Sequence, residues 1–343
     1  MSFKSRRDFL GSGAVLAVGG LAGCSLPSPA PDDEEELGPT YTKIEGITIK
    51  PAPDEYSQQS KYIAALSSDL VSEYSIGDRN QCRIRLKGAP ETNWGLRPVL
   101  YTVKTDHFFA QDEEKTVWLT EEGLRRIKTG IGTSKGQLFL FGAHPNLKTK
   151  SEATTQNEYI EQTLSNGTTF LCCAPNGGSI EEMTDIQAIR TASETGQSAW
   201  TTAGYDDEGR ATERWKMDPT LVHIDSYKRL SRVYYENTRN GFDYSLSFRE
   251  LDSERDDVII LSGLIREEFQ ERTQSQLRDA LPNNVTVTIN YRGKYSGIDT
   301  LNVVNRTTTD RTSGLQILQS RNVIDTYWRD VSEAMQSIID DTE

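Results

Sequence analysis

The chain has 343 residues, 38 Lys and Arg against 51 Asp and Glu, and a formal net charge of −13. It is long enough to bury the core of one large domain or two small ones, and its charge speaks against nucleic acid as a partner. Acidity at this level, with only 35% hydrophobic residues, suits a protein held in solution at high salt, as in a halophile, or an ordinary acidic secreted protein.

Taken from the N-terminus, "SRRDFL" reads as a twin-arginine export motif, "GSGAVLAVGGLAG" as a short, weakly apolar segment, and "LAGC" as a lipobox ending at Cys24. The apolar run is too short to span a bilayer. The expectation is a signal peptide over residues 1–23, export in the folded state, and a lipid on Cys24 that holds the protein on the outer face of the cell membrane. Residues 24–40, Pro-rich and acidic, read as a tether.

From residue 41 to 343 the pattern predicts one α/β domain, a mostly parallel or mixed sheet with helices on both faces in a three-layer sandwich. "KIEGITI", "CRIRLK", "PVLYTV", "TVWL" and "QLFLF" read as strands. "YIAALSSDLVSEY" and "TEEGLRRI" read as helices, the latter capped by Thr120. In the second half "SEATTQNEYIEQTL" reads as a helix ending at Asn166-Gly167, and "TTFLCCA" as a strand buried on both faces. A Pro-Asn-Gly-Gly turn follows, and Thr184 with Gln187 predicts a capping box on "DIQAIRTA". "AWTTA", "LVHI", "YSLSF", "DVIILSG", "VTVTINY" and "LQILQ" read as strands. "YKRLSRVYYENT", "IREEFQERTQSQLRDAL" and "VIDTYWRDVSEAMQSII" read as helices. Polar groups at strand ends mark candidate sites: Asn176 with Glu181, His223, Arg249, and Asn305 with Arg306.

Local motifs add little chemistry. There is no G-x-S-x-G, no phosphate loop and no C-x-x-C. Cys172 and Cys173 alternate faces of a strand and are poorly placed to pair with each other, while Cys82 is left open. His107 and His144 lack a neighbouring ligand in sequence, and His223 sits in an apolar run that suits a core histidine as well as a ligand. Asn166, Asn284 and Asn305 head glycosylation sequons in an exported chain.

Five ordered stretches carry a resemblance: "APNGGSIEEMTDIQA", "LVHIDS", "SLSFRE", "LNVVNR" and "GLQILQS". Together they resemble the phage-type poly-γ-glutamate hydrolases, zinc peptidases of carboxypeptidase-like fold, from about residue 95 to the C-terminus. The resemblance implies a zinc held by two His and a Glu, with an acid in the last strand as general base. Here Glu181 stands at the Glu position, Asn176 and Arg249 stand at the two His positions, and Leu318 replaces the acid. Arg249 beside Glu181 predicts a guanidinium where the metal would lie. Asn305 and Arg306, with Arg249 and His223, are then the expected substrate-binding groups.

Three readings remain. In the first, an inactive relative uses no metal and binds an anionic glutamyl polymer or peptide. The second is a working γ-glutamyl hydrolase in which His223 and Glu181 hold the metal and Glu250 is the base. In the third, a cell-envelope structural protein reuses the fold without a ligand.

Overall fold

The computed structural model describes residues 42–53, 60–87, 98–105, 114–127, 132–206, 209–237, 241–252 and 257–342. Cys24, the signal peptide, the tether and His107 lie outside these residues.

The first third of the described chain forms a closed barrel. Its strands are β1 (Lys43–Pro51), β2 (Ile63–Leu66), β3 (Gln81–Leu86), β4 (Val99–Lys104), β5 (Thr116–Leu119) and β6 (Ser134–Phe139), hydrogen-bonded in the order β1-β5-β2-β4-β3-β6 and closing on β1. Pairs β1/β5 and β2/β4 are parallel and the others antiparallel. Ile47, Ile49, Cys82, Ile84, Val103, Val117 and Leu138 fill the interior.

This corrects the expectation of a single helix-covered sheet from residue 41 onward. The helices read between these strands, α1 (Ser68–Glu73) and α2 (Glu121–Arg126), have six residues each. That is too short to cross over a sheet, so the strands bury their apolar faces against one another instead. "YIAAL" belongs to β2 and only "SDLVSE" is helical. Ala64, Ala65 and Leu66 fit either period, which is why the stretch reads as one helix. Thr120 caps α2 as expected, its side chain accepting from Gly123 N.

The remainder is α/β. Strands β7 (Tyr159–Leu164), β8 (Phe170–Gly178), β9 (Ser198–Gly204), β10 (Tyr244–Glu250), β11 (Val258–Gly263), β12 (Thr286–Ile289) and β13 (Gly314–Gln319) form one sheet in the order β12-β11-β13-β10-β8-β9-β7. The central run β13-β10-β8-β9 is parallel, whereas β7 is antiparallel to β9 and β11 antiparallel to β13. On one face Phe170, Cys172 and Ala174 pack with α4 (Thr184–Glu194), α7 (Glu267–Ala280) and α9 (Arg321–Asp340). On the other, Leu171 and Cys173 pack with Trp200, Trp215, Tyr227, Val303 and the barrel's Leu100. Cys82, Cys172 and Cys173 are free and buried.

Several local readings change. The stretch "SEATTQNEYIEQTL" splits into α3 (Lys150–Gln156), β7 and a break at Asn157, whose left-handed backbone (φ 48°) ends the helix. The capping box lies at Thr149 and Glu152 of α3. It does not lie at Thr184, whose hydroxyl donates to Glu181 O at 2.7 Å. "LVHI" is not a strand but the link between two short 3-10 turns, Pro219–Leu221 and Ile224–Ser226. Asn305 and Arg306 lie in the one-turn helix α8 (Val303–Arg306), not at a strand end.

Barrel and sheet are joined by buried polar contacts. Arg126 donates to the carbonyls of Leu100 (2.9 Å), Lys61 (3.3 Å), Glu213 (3.2 Å) and Arg214 (2.9 Å), the last two in α5 (Arg210–Trp215). Its guanidinium also lies 4.6 Å from the Tyr62 ring and 4.9 Å from the Tyr101 ring. Gln81 of β3 donates to Leu221 O at 2.6 Å and accepts from His223 N at 3.2 Å.

Glu161 in β7 is buried at the start of α6 (Lys228–Arg232), where it accepts from Leu230 N (2.6 Å), Arg229 N (2.9 Å) and Trp200 Nε1 (2.7 Å). Burial nonetheless pushes its carboxyl up. A raised folded pKa contributes stability that is present below the unfolded value and lost as pH rises through the folded one. Wild type is therefore expected to lose stability relative to Glu161→Gln as pH rises from 4 to 7, followed by thermal melts of both proteins. Parallel pH profiles would refute it.

Candidate functional site

The sequence "APNGG" is the origin of the site. It does not form a turn beyond β8 but stays within the strand: pairing with β9 slips between Ala174 and Gly177, so Pro175 and Asn176 form a bulge. A proline cannot donate to the ladder, and the bulge turns the Asn176 side chain out of register. Gly178 then takes φ 72°, where an added Cβ would lie 2.7 Å from Gly204 O. The chain reverses to place Glu181 N on Asn176 O at 2.8 Å, bringing the two side chains together.

Glu181 is fully buried and surrounded by donors. Arg249 of β10 binds it through two parallel hydrogen bonds, Nε to Oε2 and Nη2 to Oε1, both 3.1 Å. Glu250 N adds a third at 3.1 Å and Asn176 Nδ2 a fourth at 3.3 Å. Lys216 Nζ stands 3.6 Å from Oε1. The Asn176 amide is itself fully engaged: Oδ1 accepts from Met217 N and Nδ2 donates to Met217 O, both at 2.9 Å. A bidentate guanidinium–carboxylate pair of this kind is strong and fixed in direction. Its neighbour Glu181 raises the Arg249 pKa against the opposing effect of burial.

Above this pair, where the parallel strands end, lies a cleft of about 580 Å³. Arg249, Glu250 and Leu318 form part of its floor, with Lys216, Asp218 and Thr220 to one side. The segment Gly293–Asp299 makes a wall, and the barrel contributes Tyr62. Leu318 of β13 is aligned with Arg249 in the sheet and packs with Leu251 and Ile260. Glu250 is held by Arg321 Nη1 at 3.1 Å, and Arg321 also reaches Glu182 and Asp325. Burial pushes the Glu250 carboxyl up despite that cation.

The other predicted groups gather elsewhere. His223 has Nδ1 3.8 Å from Asp225 Oδ2, with Arg306 and Arg79 near it, and burial pulls its pKa down. Arg306 donates to Val222 O. Neither residue lines the cleft. Asn305 is fully buried behind the cleft wall, where its Nδ2 donates to Gly297 O and Asp299 O, both at 2.8 Å. It thus supports the wall rather than facing a ligand. Its sequon is buried, whereas Asn166 and Asn284 are exposed. Lys216, Asp218, Tyr62 and the 293–299 wall escaped sequence reading. The available signal was "KMDP", where Asp218 caps the turn that begins at Pro219 and accepts from Thr220 N at 2.9 Å.

The zinc implied by the resemblance needs about three free donors. Both Glu181 oxygens accept from Arg249, both ends of the Asn176 amide are bound to Met217, and Arg249 carries a fixed positive charge. These residues do not fit a zinc ion. Among the described residues no group of three or more His, Cys, Asp or Glu is placed to hold a metal.

No protein-family model matches the chain, and no curated protein matches it. Its structural neighbours include a bacteriophage poly-γ-glutamate hydrolase, 15% identical, covering 54% of this chain and 89% of that one at a TM-score of 0.44. They include YNDL in a zinc-free form, 17% identical over 57% of this chain and 96% of that one, TM-score 0.42. A metallo-carboxypeptidase from Burkholderia cenocepacia is 9% identical over 77% and 81%, TM-score 0.35.

Proposed function

We propose that this protein is a member of the poly-γ-glutamate hydrolase-like group that binds an acidic glutamyl chain or peptide in the cleft over Arg249 and does not hydrolyse it by metal catalysis. The observation that carries this reading is the bidentate Arg249–Glu181 pair, which occupies the carboxylate brought against the bulge and leaves a cation where a metal would be needed. Leu318 stands beside it in place of a group that would activate water. Export and a lipid on Cys24 complete the proposal, placing the cleft at the outer face of the membrane and its ligand outside the cell.

The test uses the mature chain. Metal analysis after incubation with zinc is expected to find no stoichiometric zinc, and γ-glutamyl oligomers are expected to bind by calorimetry and emerge uncut by mass spectrometry. Stoichiometric, chelator-sensitive zinc together with cleavage would overturn the reading. As a companion, Asn176→His, Arg249→His and Leu318→Glu combined are expected to restore zinc binding, because Glu181 and the bulge that presents it are intact.

A further inference from the structure

Arg249 spends only one edge of its guanidinium on Glu181. Nε and Nη2 make the pair, whereas Nη1 has no hydrogen-bond partner among the described residues, although nine-tenths of the side chain is buried and it lines the cleft. A guanidinium carries five N–H donors in a fixed fork, so pinning one edge fixes the direction of the other. Lys216 is held near the same carboxylate and also lines the cleft, with about a third of its side chain exposed. Arg249, Lys216 and Glu181 together leave one positive charge, while the other cation and acids of the lining alter the balance further out. Glu250 is taken by Arg321, and Lys294 lies 3.9 Å from Asp252. Asp218 and Asp299 remain, each capping a backbone N–H of its own turn.

From this we infer that the outer edge of Arg249, with Lys216, is a docking site for a single carboxylate of the ligand. The acids along the rim, Asp218, Asp252 and Asp299, disfavour a second anionic group beside it. The ligand class is therefore a short acidic peptide or glutamyl segment that seats one carboxylate at the cleft floor and carries its remaining charge away from the rim. The inference rests on the binding reading above and narrows it. Glu181 acts as a positioning residue, since it orients the guanidinium without touching the ligand. The carboxylate comes from a chain terminus or from an acidic side chain.

Three probes separate these sources: N-acetyl-Ala-Gln-Ala as the free acid, N-acetyl-Ala-Glu-Ala amide, and N-acetyl-Ala-Gln-Ala amide. Calorimetry on the mature chain is expected to show one of the two carboxylate probes binding about tenfold or more tighter than the uncharged amide, the size of a charge-assisted hydrogen bond. Which one it is identifies the source. Lys216→Gln, which leaves the Arg249–Glu181 pair in place, is expected to reduce that preference, read as the ratio of carboxylate-probe to amide-probe affinity within the variant. Equal binding of all three probes overturns the carboxylate site and leaves the binding reading standing. Lack of binding by all three overturns the carboxylate site, and the binding reading falls with it only if γ-glutamyl oligomers also fail to bind the same preparation; zinc uptake with cleavage overturns both. An unchanged preference in Lys216→Gln overturns the assignment of Lys216.

Discussion

Arg249→Ala is expected to cost about 3–5 kcal/mol of folding free energy, because it leaves Glu181 charged, fully buried and without its principal partner. Denaturant unfolding of wild type and variant measures this directly. The remaining donors, Glu250 N and Asn176 Nδ2, are neutral and lie at 3.1 and 3.3 Å, and Lys216 at 3.6 Å is too far for a hydrogen bond of ordinary length. The double variant Glu181→Gln with Arg249→Met removes both charges at once and is expected to recover much of the loss. If the single and double variants were equally destabilised, the pair would not be the dominant interaction at this position.

The second large effect is expected at Arg126→Ala. This side chain is a buried cation whose hydrogen-bond partners among the described residues include no carboxylate: four carbonyls and the faces of two tyrosines surround it. Removing it leaves the carbonyls of Leu100 and Arg214 buried without that donor, and forfeits two cation–π contacts. The expected loss is about 3 kcal/mol or more. Because the contacts run from the barrel to α5, the variant is also expected to weaken protection of the 213–217 backbone, read by hydrogen exchange. Retained protection in that segment would show that Arg126 stabilises the barrel alone.

Part of this site was legible in the sequence and part was not, for identifiable reasons. The pairing of Arg249 with Glu181 followed from two oppositely charged residues in stretches that resemble neighbouring strand ends, and the two side chains do meet. The burial of β8 on both faces followed from its unbroken apolar run. By contrast, Pro175 and Asn176 read as a turn, since nothing in sequence distinguishes a turn from a bulge within a strand. The barrel was hidden because its strands are short and are separated by six-residue helices that mimic α/β alternation. His223 and Arg306 were assigned to the cleft on the assumption that their stretches end strands. They sit instead on a 3-10 turn and a one-turn helix, whose direction is set by Gln81 and Val222 and not by sheet pairing. Tyr62 enters the cleft only through the packing of the barrel on the sheet, a long-range event with no local signature.

The strand order of the barrel has a kinetic consequence. β1 is the first described strand in the chain, yet its partners are β5 and β6, which begin at Thr116 and Ser134. No two strands that are consecutive in sequence between β1 and β3 pair with each other. Ribosomal synthesis therefore delivers β1, β2 and β3 without a hairpin among them to nucleate on, and closure waits until β6 has emerged. Distant pairings of this kind are slow to form, and their unpaired edges stay open to other chains meanwhile. The barrel, and with it the Tyr62 side of the cleft, therefore closes only after most of its own sequence, through β6, is available.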